Sequence, residues 1–219
     1  MNTDNFKQFL LNISNNSVKY FIVFDLETTG VNIGHDRITQ ISAMKYDIQT
    51  MKPIEKLNQM INPGNEVNIG LGAYMKTGYT IKDLKKYDRF MSIADDVYNF
   101  FSGKETVIIG YNIKNFDIPF LNTELSMCGH VQIDFTNRYI YDCFEIECEI
   151  TQMNQSGVFE RYFSHTPEEV GLKAHDAMSD IKMSLMIAIE QSNKYNNIIN
   201  KLDCSKYNII DNASFVDYI

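Results

Sequence analysis

Apolar positions change their spacing several times along the chain, and each change marks an element. Phe6, Phe9, Leu10 and Ile13 recur at i, i+3, i+4 and i+7. That period predicts an amphipathic helix over residues 4–14, packed on the domain surface. The unbroken run Tyr20-Phe21-Ile22-Val23-Phe24, β-branched and aromatic, predicts a buried strand. Two more strands are expected over 37–46 and 51–61, and their short connections imply antiparallel pairing. Weaker helical patterns follow at 69–76, after Thr80 with Asp83 in the first turn, and from a Ser92 cap to Phe101 with Ile93, Val97, Phe100 and Phe101 inward. Residues 106–110 predict a short buried strand. A helix then begins near Ile118-Pro119, where proline is tolerated, with Phe120, Leu121, Leu125 and Met127 on its apolar face. A last strand is expected at 139–142, a helix at 144–152, and the longest helix at 174–191 with Met178, Ile181, Leu185 and Ile189 on one stripe. Segment 155–173 has no readable period.

Strands first, then strands alternating with helices, predict an α/β layered fold around a mixed sheet, antiparallel early and parallel later. The length of 219 residues fits one domain. The pattern divides it into an N-terminal amphipathic helix (1–17), a main body (18–193) and a C-terminal tail (194–219).

Composition narrows the function only slightly. Twenty Lys and Arg against 28 Asp and Glu give a net charge of −8, which argues against nonspecific binding to polyanions but not against a nucleic-acid enzyme. No apolar run reaches membrane-spanning length, and the first residues lack the basic flank and apolar stretch of a signal peptide, so a cytoplasmic protein with no membrane partner is expected. Cys128, Cys143, Cys148 and Cys204 show no CxxC spacing and read as reduced packing thiols.

The chemistry begins where the first strand ends. Asp25 and Glu27 stand one residue apart, so on a strand they share a face. Paired acids at a buried strand end repel each other, and hard divalent cations are the usual remedy. Asp117 follows the buried strand 106–110 at a helix start. His175 and Asp180 bracket the start of the long helix. Five residues along one helix would set them about 140° apart; placing His175 in the loop before a cap at Asp176 lets it swing over Asp180. Together these five residues supply the four carboxylates and one proton acceptor that a two-metal phosphoryl displacement requires. Lys76, Lys82, Lys85 and Lys86 either contact phosphates or line a solvated helix face.

Three segments carry a family resemblance: Phe24-Asp25-Leu26-Glu27-Thr28-Thr29-Gly30, Gly110-Tyr111-Asn112-Ile113-Lys114-Asn115-Phe116-Asp117, and Ala174-His175-Asp176-Ala177-Met178-Ser179-Asp180. In order and spacing they resemble the exonuclease motifs of the DnaQ-like DEDDh family, with Thr77-Gly78-Tyr79-Thr80 as a softer fourth. That family includes the polymerase III proofreading subunit, exonuclease I, RNase T and oligoribonuclease. The resemblance implies an RNase H-like mixed five-stranded sheet flanked by helices. It further implies 3′→5′ hydrolysis to nucleoside 5′-monophosphates with two Mg²⁺ or Mn²⁺ ions. Asp25, Glu27 and Asp180 would hold one ion, Asp25 and Asp117 the second, and His175 would be the general base. Thr28, Thr29, Asn112 and Phe116 match substrate-contacting positions, although Phe116 serves equally as core. The motif wording is most similar to the nuclease domain of exonuclease I, which implies a single-stranded DNA 3′ end as partner, with a DNA polymerase as a further one. An exoribonuclease of the RNase T or oligoribonuclease type, or an inactive binding module, are the alternatives. Segment 155–173 departs from the helix that usually precedes the family's histidine motif.

Overall fold

A computed structural model describes residues 3–14, 17–136, 138–148 and 153–199. Five strands form one mixed sheet: β1 (Tyr20–Thr28), β2 (Ile38–Asp47), β3 (Lys52–Met60), β4 (Thr106–Gly110) and β5 (Ile140–Asp142), in the order β3-β2-β1-β4-β5. The short connections around β2 give antiparallel pairs β1·β2 and β2·β3, and the longer crossovers give parallel pairs β1·β4 and β4·β5. Gly110 closes β4 because a Cβ there would lie 2.9 Å from the carbonyl oxygen of Phe24.

Strand alternation divides β1 between two helical layers. Ile22, Phe24 and Leu26 enter one core with Ile41 and Ala43 of β2. That face is covered by α4 (Ala94–Phe101), through Val97, Phe100 and Phe101, and by α5 (Asp117–Met127), through Ile118, Phe120, Leu121 and Leu125. Phe21 and Val23 enter the opposite core, under α1 (Thr3–Ile13), α6 (Cys143–Cys148), α7 (Gln155–Phe163) and α8 (Ala177–Ile199). Asp25 and Glu27 continue that second face beyond its apolar part.

Several elements differ from the sequence expectation, each for a physical reason. Helix α1 packs on the body as its stripe predicts, with Thr3, Asp4, Asn5 and Asn12 exposed, and its apolar face goes deep: Phe6, Phe9 and Leu10 are at most 1% exposed, and Phe6 and Phe9 meet Phe21 and Tyr141 edge to face. Ser92 caps nothing, because a 3-10 turn over Phe90–Ile93 absorbs it and α4 starts at Ala94 with Ile93 as its uncapped entry. Met127 points outward, being the last residue of α5. The unreadable segment holds α7, whose Asn154 side chain caps the Gly157 N–H and whose Val158 and Phe159 are fully buried. Helix α8 starts at Ala177 and continues to Ile199, past the expected end at Gln191; Asp176 caps it through the Ser179 N–H. Two short helices, α2 (Leu71–Thr77) and α3 (Ile81–Leu84), lie between β3 and α4, and Thr80 caps α3 as expected, in a reciprocal box with Asp83. Residues 149–152 of the expected 144–152 helix, Cys204 and most of the tail lie outside the described residues. Cys143 is buried and its thiol donates to the Ser184 carbonyl. No helix among the described residues is long and apolar enough to cross a membrane.

Candidate active site

The end of β1 is where both layers meet. The parallel ladder to β4 stops at Val23↔Ile109, so the last residues of β1 have no strand on that side. The Leu26 N–H, which lies beyond the ladder, is taken by the Asp117 carboxylate at 2.9 Å. This bond accounts for a carboxylate only 2% exposed and seats Asp117 beside Asp25 and Glu27. Helix α5 supplies it from one face of the sheet; α8 supplies Asp180 from the other.

Glu27, His175 and Asp180 each present a ligand atom, all within 4.8 Å of one another. His175 stands before α8, as its loop placement required, in a left-handed conformation with φ +62°. Residues Asp25 and Asp117 complete the cluster electrostatically. Burial drives the Asp25 carboxyl well above its usual range, and the neighbouring Asp117, Asp180 and Glu27 charges add to it. Asp117 is likewise raised, first by burial, against the stabilising Leu26 amide. Glu27 is pushed up to about 8 by burial and then by Asp180, and Asp180 to about 7 by burial and then by Asp176. Four acids whose ionised forms are disfavoured first by burial and then by neighbouring carboxylates are what a hard cation would relieve, and the oxygen-rich donor set suits a divalent ion. His175 moves the other way: partial desolvation and the Lys76 charge push it below its usual value, opposed by Glu168.

The remaining expected positions hold the frame of the site. Thr28 is buried and its hydroxyl donates to the Gly30 carbonyl. Thr29 is fully buried: its hydroxyl donates to Asp36 and accepts the Arg37 N–H, and its carbonyl accepts the Gly70 N–H. Its polar groups therefore pin the 30–37 loop and the entry to α2. Asn112 adopts φ +62° in the loop before Asp117. Phe116 packs on the core against Phe120, with ring centroids 4.8 Å apart.

Asp142 was not legible as part of this arrangement. Only 2% exposed at the end of β5, it accepts the N–H groups of Asn112 (2.7 Å), Lys114 (3.0 Å) and Phe144 (3.0 Å), and so shapes the loop that delivers Asp117. Gln155 is a second such support, donating to the Asp180 carbonyl at 2.8 Å and to the Ser184 hydroxyl at 3.0 Å. An acid closing a short apolar strand was the available signal for Asp142; nothing in the sequence pointed to Gln155.

Known proteins share both the sequence pattern and the fold. The RNase T family model, described as an exonuclease, matches residues 22–188. The chain is similar to the DNA polymerase III epsilon subunit of Treponema pallidum, 35% identical over 109 residues that cover 49% of this chain and 47% of that protein. It is also similar to the epsilon subunit of Rickettsia prowazekii, 34% identical over 116 residues, 52% of this chain and 48% of that one. The matched part thus spans about half the length of these relatives. In fold it is similar to E. coli exonuclease I in complex with a dA16 oligonucleotide, with a TM-score of 0.67 over 84% of this chain and 42% of that chain at 19% identity. With the family model running from the first strand into the last helix, through every residue gathered at the end of β1, this chain belongs to the RNase T exonuclease family, the DnaQ-like DEDDh group its motifs resemble.

Proposed function

We propose that this chain is a metal-dependent 3′→5′ exonuclease that removes nucleoside 5′-monophosphates from single-stranded DNA. The observation that carries the reading is the meeting of Glu27, His175 and Asp180 within 4.8 Å at the one strand end where Asp25 and Asp117 also converge. Asp25, Glu27 and Asp180 would hold one Mg²⁺ or Mn²⁺ ion, and Asp25 with Asp117 a second. Such ions, when bound, offset the charge of the acids and stabilise the negative charge that develops on the phosphoryl oxygens.

The rest belongs to the chain's own groups. His175, pushed below its usual pKa, is neutral near pH 7 and accepts a proton from the attacking water. The water oxygen forms the new bond to phosphorus, the bond from phosphorus to the 3′-oxygen of the preceding nucleotide breaks, and that oxygen takes up a proton as the shortened strand leaves. The Asp117 bond to the Leu26 amide keeps the acids in register with β1. Exonuclease I bound to an oligonucleotide supports the choice of single-stranded DNA.

The test is incubation of 5′-labelled DNA and RNA strands, single and double, with Mg²⁺ or EDTA. Stepwise shortening from the 3′ end of single-stranded DNA, absent in EDTA, is expected. Cutting of a circular strand, or no metal-dependent release of mononucleotide, rejects the reading; faster shortening of RNA moves it to the exoribonuclease type. A second reading, association with a DNA polymerase, is supported by the naming of both relatives as polymerase III subunits. Co-elution of a polymerase with the tagged chain tests it.

A further inference from the structure

Helix α2 sits at the mouth of the site without being part of any core. None of its residues is buried, and Leu71, Tyr74 and Met75 are exposed. Backbone contacts hold it there instead. The Gly70 N–H donates to the Thr29 carbonyl at 2.7 Å, an approach at which a Cβ on Gly70 would already be 3.2 Å from that oxygen. At the far end Gly78, at φ +73°, closes the helix by donating to the Tyr74 carbonyl.

This seating, anchored on Thr29 at the end of β1, puts Lys76 of the last turn within electrostatic reach of the acids. Its positive charge acts on Asp25, Glu27 and Asp180, where it favours the ionised carboxylate, and on His175, where it disfavours the proton. Yet among the described residues Lys76 forms no hydrogen bond and no ion pair, with these acids or any other. The sequence offered it only as one of four lysines. Lys82 and Lys86 instead lend their charge to Asp83, away from the cluster.

An ammonium held beside a cation site works against cation binding unless an anion comes between. On the exonuclease reading above, we infer that Lys76 is a substrate contact: its ammonium binds a non-bridging oxygen of the strand backbone next to the 3′ terminus. Carried on a helix anchored to Thr29 at the end of β1, it draws the phosphate side of the strand toward α2 while the terminal linkage faces Asp25, Glu27 and Asp180.

Salt dependence separates this role from that of a solvated helix face, because each phosphate contact on a single strand contributes a slope of about 0.7 in log affinity against log salt. The test measures anisotropy of a short labelled single strand whose 3′ linkages are slowly hydrolysed phosphorothioates, with the unaltered chain, K76A, K76R and K82A. K76A should bind about ten-fold more weakly at low salt, with a slope shallower by about 0.7. K76R should recover both values, and K82A should change neither. Mn²⁺ binding to K76A without nucleic acid should be unchanged or about two- to five-fold tighter, since a like charge has been removed.

Equal affinity and equal slope for K76A and the unaltered chain would overturn the assignment while leaving the exonuclease reading intact. Weaker Mn²⁺ binding by K76A would make Lys76 a support of the acids and overturn it as well. A chain that binds no single strand at all would remove the exonuclease reading and this inference together.

Discussion

Asp117 accepts the backbone N–H of Leu26 at 2.9 Å, across 91 positions of sequence and between the two acids of β1. On the proposed function this carboxylate has two duties, one structural and one chemical, and two substitutions separate them. In Asp117→Asn an amide oxygen still accepts the N–H, so unfolding in denaturant should differ little from the parent chain. In Asp117→Ala the buried N–H loses its acceptor, at a cost of about 1–3 kcal/mol. Both variants should lose mononucleotide release. An Asn variant as unstable as the Ala variant would contradict the dual role.

The clustered acids make stability fall with rising pH. Glu27 titrates near 8 rather than 4.5 and Asp180 near 7 rather than 3.8, and Asp25 and Asp117 are raised too. The folded chain therefore holds protons that the unfolded chain has released. Their stabilisation is whole below the unfolded values and is lost as pH climbs through 7 and 8. In EDTA the unfolding temperature should drop from pH 5 to pH 8. Mg²⁺ or Mn²⁺ should restore it, most at the alkaline end. Glu27→Gln should flatten the slope in EDTA; an unchanged slope would count against the coupling.

As the proposed base, His175 should set the acid limb of the rate. Partial desolvation and Lys76 lower its pKa below the usual 6.5, so the limb of kcat/KM should fall below that value. His175→Gln should reduce kcat by roughly 10²–10⁴-fold, the usual contribution of a positioned base, and remove the limb. A retained limb in the Gln variant would assign it to another group.

Asp142 gathers three backbone donors, the N–H groups of Asn112, Lys114 and Phe144. Asp142→Ala should cost about 2 kcal/mol in denaturant unfolding, since one buried and two part-buried N–H groups are orphaned together. Asp142→Asn, which keeps an acceptor, should cost less and lower kcat more than it alters stability. Equal stability of the Ala variant and the parent would show that water replaces the carboxylate.

The sheet and the acids were legible because they obey short rules. Period-two alternation put Asp25 and Glu27 on one face, and the connection lengths gave antiparallel and then parallel pairing. What escaped depends on long-range contacts. The left-handed turn at His175, at φ +62°, follows from no spacing rule along the chain. Asp142 reads as an ordinary strand-end acid until Asn112 and Lys114 return to it from 30 and 28 positions away. The apolar stripe of α1 was plain, but not its depth, which comes from Phe21 and Tyr141 closing around it. Ser92 has the chemistry of a cap, but the 3-10 turn carrying Phe90 into the core claims its backbone first.

Helix α5 holds the sheet at a second point. Seven residues after Asp117, about two turns along the same side, Glu124 accepts the Ile38 N–H at 3.0 Å. The helix is thus riveted to β1 at one end and to the start of β2 near the other, and neither sliding nor rolling is open to it without breaking a buried bond. Any yielding that the cleft requires to admit and release a strand falls to the opposite jaw, where α2 buries no side chain and the turn at His175 lies exposed.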